Sequence, residues 1–328
     1  MVTRVMSSEI LAADIGATSC RFAHFRTSDE GIKLLSSKWL RTSEQNSFAG
    51  LLHNLAESDF SLTPKEADIV SIGVAGPIED GVYCKPPYIS WEIDFSCAER
   101  DYGFSRYCLI NDFVAQAYAC KSPIAQMATQ VVDGKARRDA TIAVIGAGSN
   151  LGKAIVAVRE GGNYIVVPSE GGHITFPLQS RRELEFAQFV LTRTAADYLT
   201  CNEVISGKGL SRIHEFLTGE CLEPSEVSAR FADHNETLLW ASRFYGRVCR
   251  NFALDTLALG GVFIAGGVAA KVPQLVKHPA FREEFVSSPR HNELLSTIPV
   301  YLIVDEESGL WGAAMCGAKK LCEVLSRE

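Results

Sequence analysis

Apolar and polar positions alternate in three short runs near the start of the chain, EILAADI, CRFAHFR and KLLSSKWL, and each run predicts a strand. A polar stretch follows, and then FAGLLHNLAE, whose apolar residues recur at helical spacing. DIVSIGVAGPI reads as an apolar strand ending in a Gly-Pro turn. SRYCLINDF reads as a second buried strand that runs straight into the helix-like FVAQAYAC. This order is mixed α/β and not the strict alternation of a barrel. From Thr141 the pattern starts again: TIAVIGAGSNLG is an apolar strand entering a glycine turn, KAIVAVRE returns, and NYIVVPSEGG follows. Both copies have the form strand, small-residue turn, strand, which predicts two related halves.

The second half then becomes helical. Ser180 and Glu183 form a capping box ahead of ELEFAQFVLTRTAADYL, in which Leu184, Ala187, Leu191, Ala195 and Tyr198 recur at helical spacing. A longer helical region covers SEVSARFADHNETLLWASRFYGRVCRNFALDTLAL. After it come a strand closed by glycines in GGVFIAGGVAA, a strand in TIPVYLIV and a final helix over SGLWGAAMCGAKKLCEVL.

Length and composition narrow this picture. A chain of 328 residues exceeds the roughly 250–300 at which a single core stops growing, so two lobes are expected. A net charge of −7, with no basic cluster interleaved with aromatics, argues against nucleic acid as a partner. The 10 cysteines run singly from Cys20 to Cys322 without a CxxC pair or a Cys/His zinc spacing, which reads as reduced, mostly buried thiols. The N-terminal MVTRVMSSEILAAD places Glu9 and Asp14 where a signal peptide needs an unbroken apolar core, and no apolar run approaches the ~18 residues of a membrane span. The expectation is a cytoplasmic protein with no membrane partner.

The candidate chemistry lies at the glycine turns. IGAGSNLGKA is not a Walker A loop, because Ala147 stands where its first glycine belongs and Ala154 where Ser or Thr would hold magnesium. Nor does it open the helix that a dinucleotide fingerprint needs. A hairpin remains, in which backbone N–H groups around the turn form a nest for phosphate, with Asn150 tolerating a left-handed conformation. The alternative is an ordinary hairpin using glycine for positive φ. LINDF ends a buried strand in Asn111-Asp112, where α/β proteins place ligands; the Asp112 carboxylate fits an oriented acceptor for a hydroxyl proton, or the two residues fit a helix N-cap. In PSEGGH, Glu170 and His173 sit beside glycines that allow a small polar ligand to approach, or form an ordinary polar loop; no further ligands at a recognisable spacing make them a metal pair.

DIGATSCR resembles the DxGGTxxR phosphate signature of sugar kinases of the hexokinase and actin superfamily, and GAGSNLG resembles their second phosphate hairpin. VAGPIEDG, LINDFVA, PSEGGH, ISGKGL, GGVFIAGGV and IPVYLIV…GLWGAA are similar, in order, to segments of the ATP-dependent bacterial glucokinases. The resemblance implies an α/β, two-lobed, ribonuclease-H-like (actin-like ATPase) fold with duplicated mixed-sheet domains and a ligand cleft between them. The expected division is a small domain at 1–122 completed by 306–328 and a large domain at 123–305. It implies phosphorylation of glucose at the 6-hydroxyl by ATP with Mg2+, the opening step of glycolysis, and a homodimer. Asp112 is then the base, and Asn111, Glu170, His173 and Asn202 sugar partners. Asp14 orients Mg2+ through water. Gly16, Ala17, Thr18, Gly146, Gly148 and Ser149 surround phosphates, and Gly266 and Gly267 lie against adenosine unless they serve close packing. In the related repressor-and-kinase sugar family a cysteine-rich zinc motif follows a similar Gly-His; ITFPLQSRRELEF has no cysteine.

Four positions depart from the family pattern. Ala17 replaces a glycine, which is tolerable at negative φ, and Ser149 replaces Thr while keeping its hydroxyl. Asn202 stands where the family has a glucose-contacting glutamate, losing a charged acceptor, and Tyr88 stands where an asparagine is common. Another hexose, or a sugar sensor that binds without efficient transfer, therefore remains open; a nicotinamide oxidoreductase is disfavoured.

Overall fold

In the computed structural model, residues 7–325 are described; the reading of the first six as lacking a leader lies outside them. The chain divides into two compact units, one formed by the described residues up to Gln126 and again from Glu306, the other by Met127–Asp305.

The first unit is built on five strands. β1 (Ser8–Ile15), β2 (Ser19–Ser28) and β3 (Gly31–Arg41) form an antiparallel meander, and β4 (Ile69–Val74) and β7 (Tyr107–Asn111) continue the sheet parallel to β1, in the order β3-β2-β1-β4-β7. The two-residue β5 (Tyr83–Cys84) and β6 (Ile93–Asp94) pair separately. Both faces of the sheet are covered, so β1 is apolar at nearly every position. Leu11, Ala13 and Ile15 pack with Phe48, Leu51 and Leu55 of the helix Phe48–Ala56. Ile10 and Ala12 face Leu310, Ala313 and Ala314 of the helix Ser308–Leu325, whose bounds coincide with the predicted run. Strand periodicity therefore points Asp14, two residues beyond Ala12, toward that same helix.

The second unit repeats the plan. β9 (Ile142–Ala147), β10 (Leu151–Val158) and β11 (Tyr164–Ser169) form the meander, β12 (Val262–Ala265) and β13 (Val300–Leu302) run parallel to β9, and β8 (Thr129–Val132) closes the far edge. The shared order of meander plus two parallel strands is the duplication that the restarted pattern predicts. A helical layer covers this sheet, led by Phe186, Val190, Ile213, Phe244, Val248 and Phe281.

Two helical expectations need correction. The helix after Ser180 spans Arg181–Thr194 and ends where Ala195 adopts φ 53°, so Tyr198 lies beyond it. Its buried face is Glu183, Phe186, Ala187 and Val190, and Leu184 is 51% exposed. The predicted stripe shares only Ala187 with that face, because it took a charged residue for a solvent position. Ser180 does cap, accepting from the Glu183 N–H. The Glu183 carboxylate turns inward, accepting from the Gln179 N–H and bidentately from fully buried Arg247, which also bonds Glu284. The long helical region is two helices, Pro224–Ala229 and Asn235–Thr256, interrupted at 230–234.

Candidate functional site

In the first unit the parallel strands bring two acids to one sheet edge. Asp14 on β1 is in register with Gly73 on β4, which is in register with Ile110 on β7, so Asn111 and Asp112 follow directly at the carboxyl ends of the strands. Ligands of open α/β sheets collect at that edge. Gly73 suits this approach, since a Cβ there would crowd the Ala115 Cβ at 3.2 Å.

Asn111 and Asp112 divide the two roles that the sequence leaves open. Asn111 is the N-cap of the helix Asp112–Ala119: its Oδ1 accepts from the Phe113 N–H at 2.8 Å, and its Nδ2 donates to the Gly76 carbonyl at 3.1 Å. Asp112 is the first helical residue, and its Oδ1 shares the Phe113 N–H with the cap at 2.9 Å, which leaves its other carboxylate oxygen outside this contact. Burial, and next the charge of Asp14, push Asp112 up to about 6, against the opposing hydrogen bond from the Phe113 N–H. Burial also raises Asp14, with Arg21, its cross-strand neighbour, pulling the other way. Arg21 is held by Glu306 and stacks 3.9 Å over Trp39.

The β1–β2 turn is tight, with the Gly16 N–H donating to the Ser19 carbonyl at 3.0 Å. Among the described residues, the Ala17 and Thr18 amides donate to no other backbone group. Ala17 is not at positive φ, so its methyl is tolerated in place of glycine. One residue that the sequence reading passed over completes this corner. A Cβ on Gly309, in the first turn of the helix Ser308–Leu325, would lie 2.6 Å from Asp14 Oδ2. Only glycine lets that helix start come against the carboxylate, and the spacing of small residues in SGLWGAA is the sole trace of this in the sequence.

The remaining candidate residues lie in the second unit. The β9–β10 connection is a hairpin, with the Gly148 N–H donating to the Asn150 carbonyl at 2.8 Å. Neither Gly148 nor Asn150 has positive φ, so the left-handed conformation expected at Asn150 is not used, and the demand for positive φ does not explain this glycine. Gly146 lies inside β9, paired with Gly152, and the turn itself is Gly148, Ser149 and Asn150. Beside it, β12 ends in register with Gly146. Gly266 at φ 85° presses on the Ala147 carbonyl, where a Cβ would be 2.8 Å away, whereas a Cβ on Gly267 would meet nothing within 4 Å. Packing accounts for the first of these glycines; the second leaves space.

Asn202 ties three segments together. Its Oδ1 accepts from the Leu151 N–H at 2.6 Å, its Nδ2 donates to Asn150 Oδ1 at 3.2 Å, and its N–H donates to the Gly172 carbonyl at 2.8 Å. Gly172 is obligatory there, since a Cβ would fall 2.1 Å from the Leu151 carbonyl. Glu170 and His173 are exposed neighbours in the same turn, 3.9 Å apart. Gly207, also missed from sequence, donates its N–H to the Gly148 carbonyl at 3.1 Å and so attaches the helix Gly207–Thr218 to the hairpin.

The donor set suits a hard divalent cation. Asp14 and Asp112 repel one another, and Mg2+ takes one or two carboxylates while keeping waters and phosphate oxygens. All ten thiols are free. No helix among the described residues is long and apolar enough to cross a membrane.

A sequence profile of the Glucokinase family matches residues 11–320. The glucokinase of Nostoc punctiforme is 27% identical over 342 positions, covering 94% of this chain and 99% of its own. That of Psychromonas ingrahamii is 33% identical over 253 positions, covering 74% and 78%. The crystal structure of a glucokinase from an Antarctic psychrotroph superposes with a TM-score of 0.82 at 25% identity, covering 95% of this chain and 99% of that one.

Proposed function

The chain belongs to the glucokinase family of ATP-dependent sugar kinases, and from that premise we propose that it transfers the γ-phosphoryl group of ATP to the 6-hydroxyl of glucose, with Asp112 as the base. The single observation that carries this reading is the Asp112 carboxyl at the strand edge, directly after the N-cap Asn111, with a pKa raised to about 6. Phosphoryl transfer needs little covalent help, but it does need an oriented acceptor for the hydroxyl proton and amides around the phosphates. Asp112 accepts that proton. Asn111, fixed by Gly76, steadies the residue next to it and offers its amide edge to a sugar hydroxyl. The free Ala17 and Thr18 amides and the Gly148–Ser149 turn bind phosphate oxygens, and Gly267 leaves room for the adenosine. Glu170 and His173 hydrogen-bond the sugar. Asp14, with Asp112 nearby, would hold Mg2+ through water; when bound, the ion neutralises charge on the phosphates. A cytoplasmic homodimer completes the proposal, in keeping with the ten free thiols.

A coupled assay of ADP release with ATP, Mg2+ and a hexose panel tests it. Glucose should give stoichiometric ADP, and Asp112→Asn should lose at least about a hundredfold in kcat, as expected of a positioned base, while still binding glucose. Near-normal turnover in Asp112→Asn would remove the base. A second reading has specific support at Asn202, whose acceptor and one donor are spent on the hairpin. A hexose other than glucose is then preferred, and the same panel decides.

A further inference from the structure

Away from these residues, at the corner where the helix Gly207–Thr218 meets the helix Asn235–Thr256, His214, Glu220 and His234 each present a donor atom within 4.8 Å of the other two. His214 is fully buried, and its two ring nitrogens are treated differently. Nδ1 lies 3.0 Å from Thr237 Oγ1, whereas Nε2 has no hydrogen-bond partner among the described residues. A buried ring nitrogen without a partner is uncommon enough to need a cause. With Nδ1–H donating to the Thr237 hydroxyl, the Nε2 lone pair is directed into the cluster, which is the arrangement that outer partners impose on metal-bound histidines. His234 faces it edge-on, ring centroids 5.0 Å apart at 78°.

We infer that His214 Nε2, a ring nitrogen of His234 and a carboxylate oxygen of Glu220 form a Zn2+ site that clamps the two helices together. Two imidazoles and one carboxylate are a donor set that suits Zn2+ and leaves a fourth position for water. Around a tetrahedral ion at 2.0–2.1 Å the ligand atoms stand roughly 3.3 Å apart, so atoms now within 4.8 Å of one another close by up to about 1.5 Å on binding. Glu220 can make that movement. It is exposed and sits just past the helix end, where its N–H is held by the Thr218 hydroxyl, which in turn donates to the His214 carbonyl. Its Oε2 is shared with Arg230 at 2.8 Å, so the guanidinium moderates the affinity without occupying the second oxygen. The sequence hides this site because its ligands come from one helix, the loop just after it and the N-cap of another, at no recognised spacing. The clamp would act at the C-terminal end of the helix whose N-terminal Gly207 holds the Gly148 carbonyl.

Calorimetric titration of ZnCl2 into the full-length chain, stripped with chelator, tests the inference, with Co2+ as a spectroscopic substitute. One Zn2+ per chain and a raised melting temperature are expected. His234→Gln and Glu220→Gln should each weaken binding at least tenfold, and the near-isosteric Thr237→Val about tenfold through loss of the ring's outer partner. His173→Gln, at the exposed Glu170–His173 pair, should leave Zn2+ binding unchanged. His214 is buried, so its replacement risks the fold; Glu220→Gln, at an exposed position, decides if His234→Gln also fails to fold. Absence of stoichiometric binding, binding that survives both ligand variants, or binding lost in His173→Gln would overturn the site.

Discussion

At the scale of single residues, Asp112 illustrates how position decides what a carboxyl can do. It must be ionised to accept a hydroxyl proton, so kcat/KM for the sugar should fall as the pH drops through about 6. Asp14→Asn removes the like charge and should move that limb to lower pH while lowering turnover, and a pH profile of both proteins would show it. A limb that stays in place would mean that another group is being titrated. The stability term has the opposite sense. The folded chain retains the Asp112 proton to higher pH than the unfolded one, so this group opposes folding as the pH rises from the ordinary carboxylate range to about 6. Asn202 shows what a sequence hides. Its identity and its place before SGKGL are legible, but not that its side chain is engaged with Asn150 and Leu151. Asn202→Ala should therefore raise the KM for ATP more than the KM for the sugar, since it loosens the hairpin and leaves the Leu151 amide unpaired. Steady-state kinetics with each substrate varied in turn distinguishes the two.

At the scale of elements, the hairpins and parallel strands were readable because their apolar runs are bounded by glycine turns, and the helix Ser308–Leu325 because nothing in it interrupts helical spacing. Two kinds of information were not readable. The helix Arg181–Thr194 buries an acid, Glu183, and no pattern of apolar residues reports a face that contains an ion pair. Close backbone approach is equally silent, since a glycine needed for contact looks like any other. Gly309 is the case that bears on chemistry. Gly309→Ala should push the helix start and the Asp14 carboxylate apart. Turnover should fall tenfold or more while the circular dichroism spectrum stays unchanged, because small displacements at a reacting centre are costly.

At the scale of the whole molecule, the second unit depends on a buried charge network as well as on its apolar layer. Arg247 joins Glu183 and Glu284 with no exposed surface of its own. Removing one partner leaves a buried charge uncompensated, so Glu183→Ala should cost about 3–5 kcal/mol and lower the melting temperature by several degrees. Burial alone would raise the Glu183 pKa, but the Arg247 hydrogen bonds outweigh it and hold it below the usual range. A depressed acid contributes stability above its unfolded pKa and loses it as the pH falls through the folded one. The wild-type chain should therefore lose stability below about pH 4.5, and the variant should lose less over the same interval, by thermal melts across pH.

The segment that begins at Glu306 returns to the sheet of residues far upstream, covering Ile10, Ala12 and Asp14 only after the intervening residues 127–305 have been made. On a ribosome adding about 5–20 residues each second, the first sheet would wait on the order of ten seconds or more with one side bare. Over that interval the second unit is itself being made, and by its end the whole of that unit's sequence has been synthesised while the first still lacks its last segment. The nascent first sheet is consequently the part most in need of a chaperone during translation, and the acid pair of the site is among the last features of the protein to be assembled.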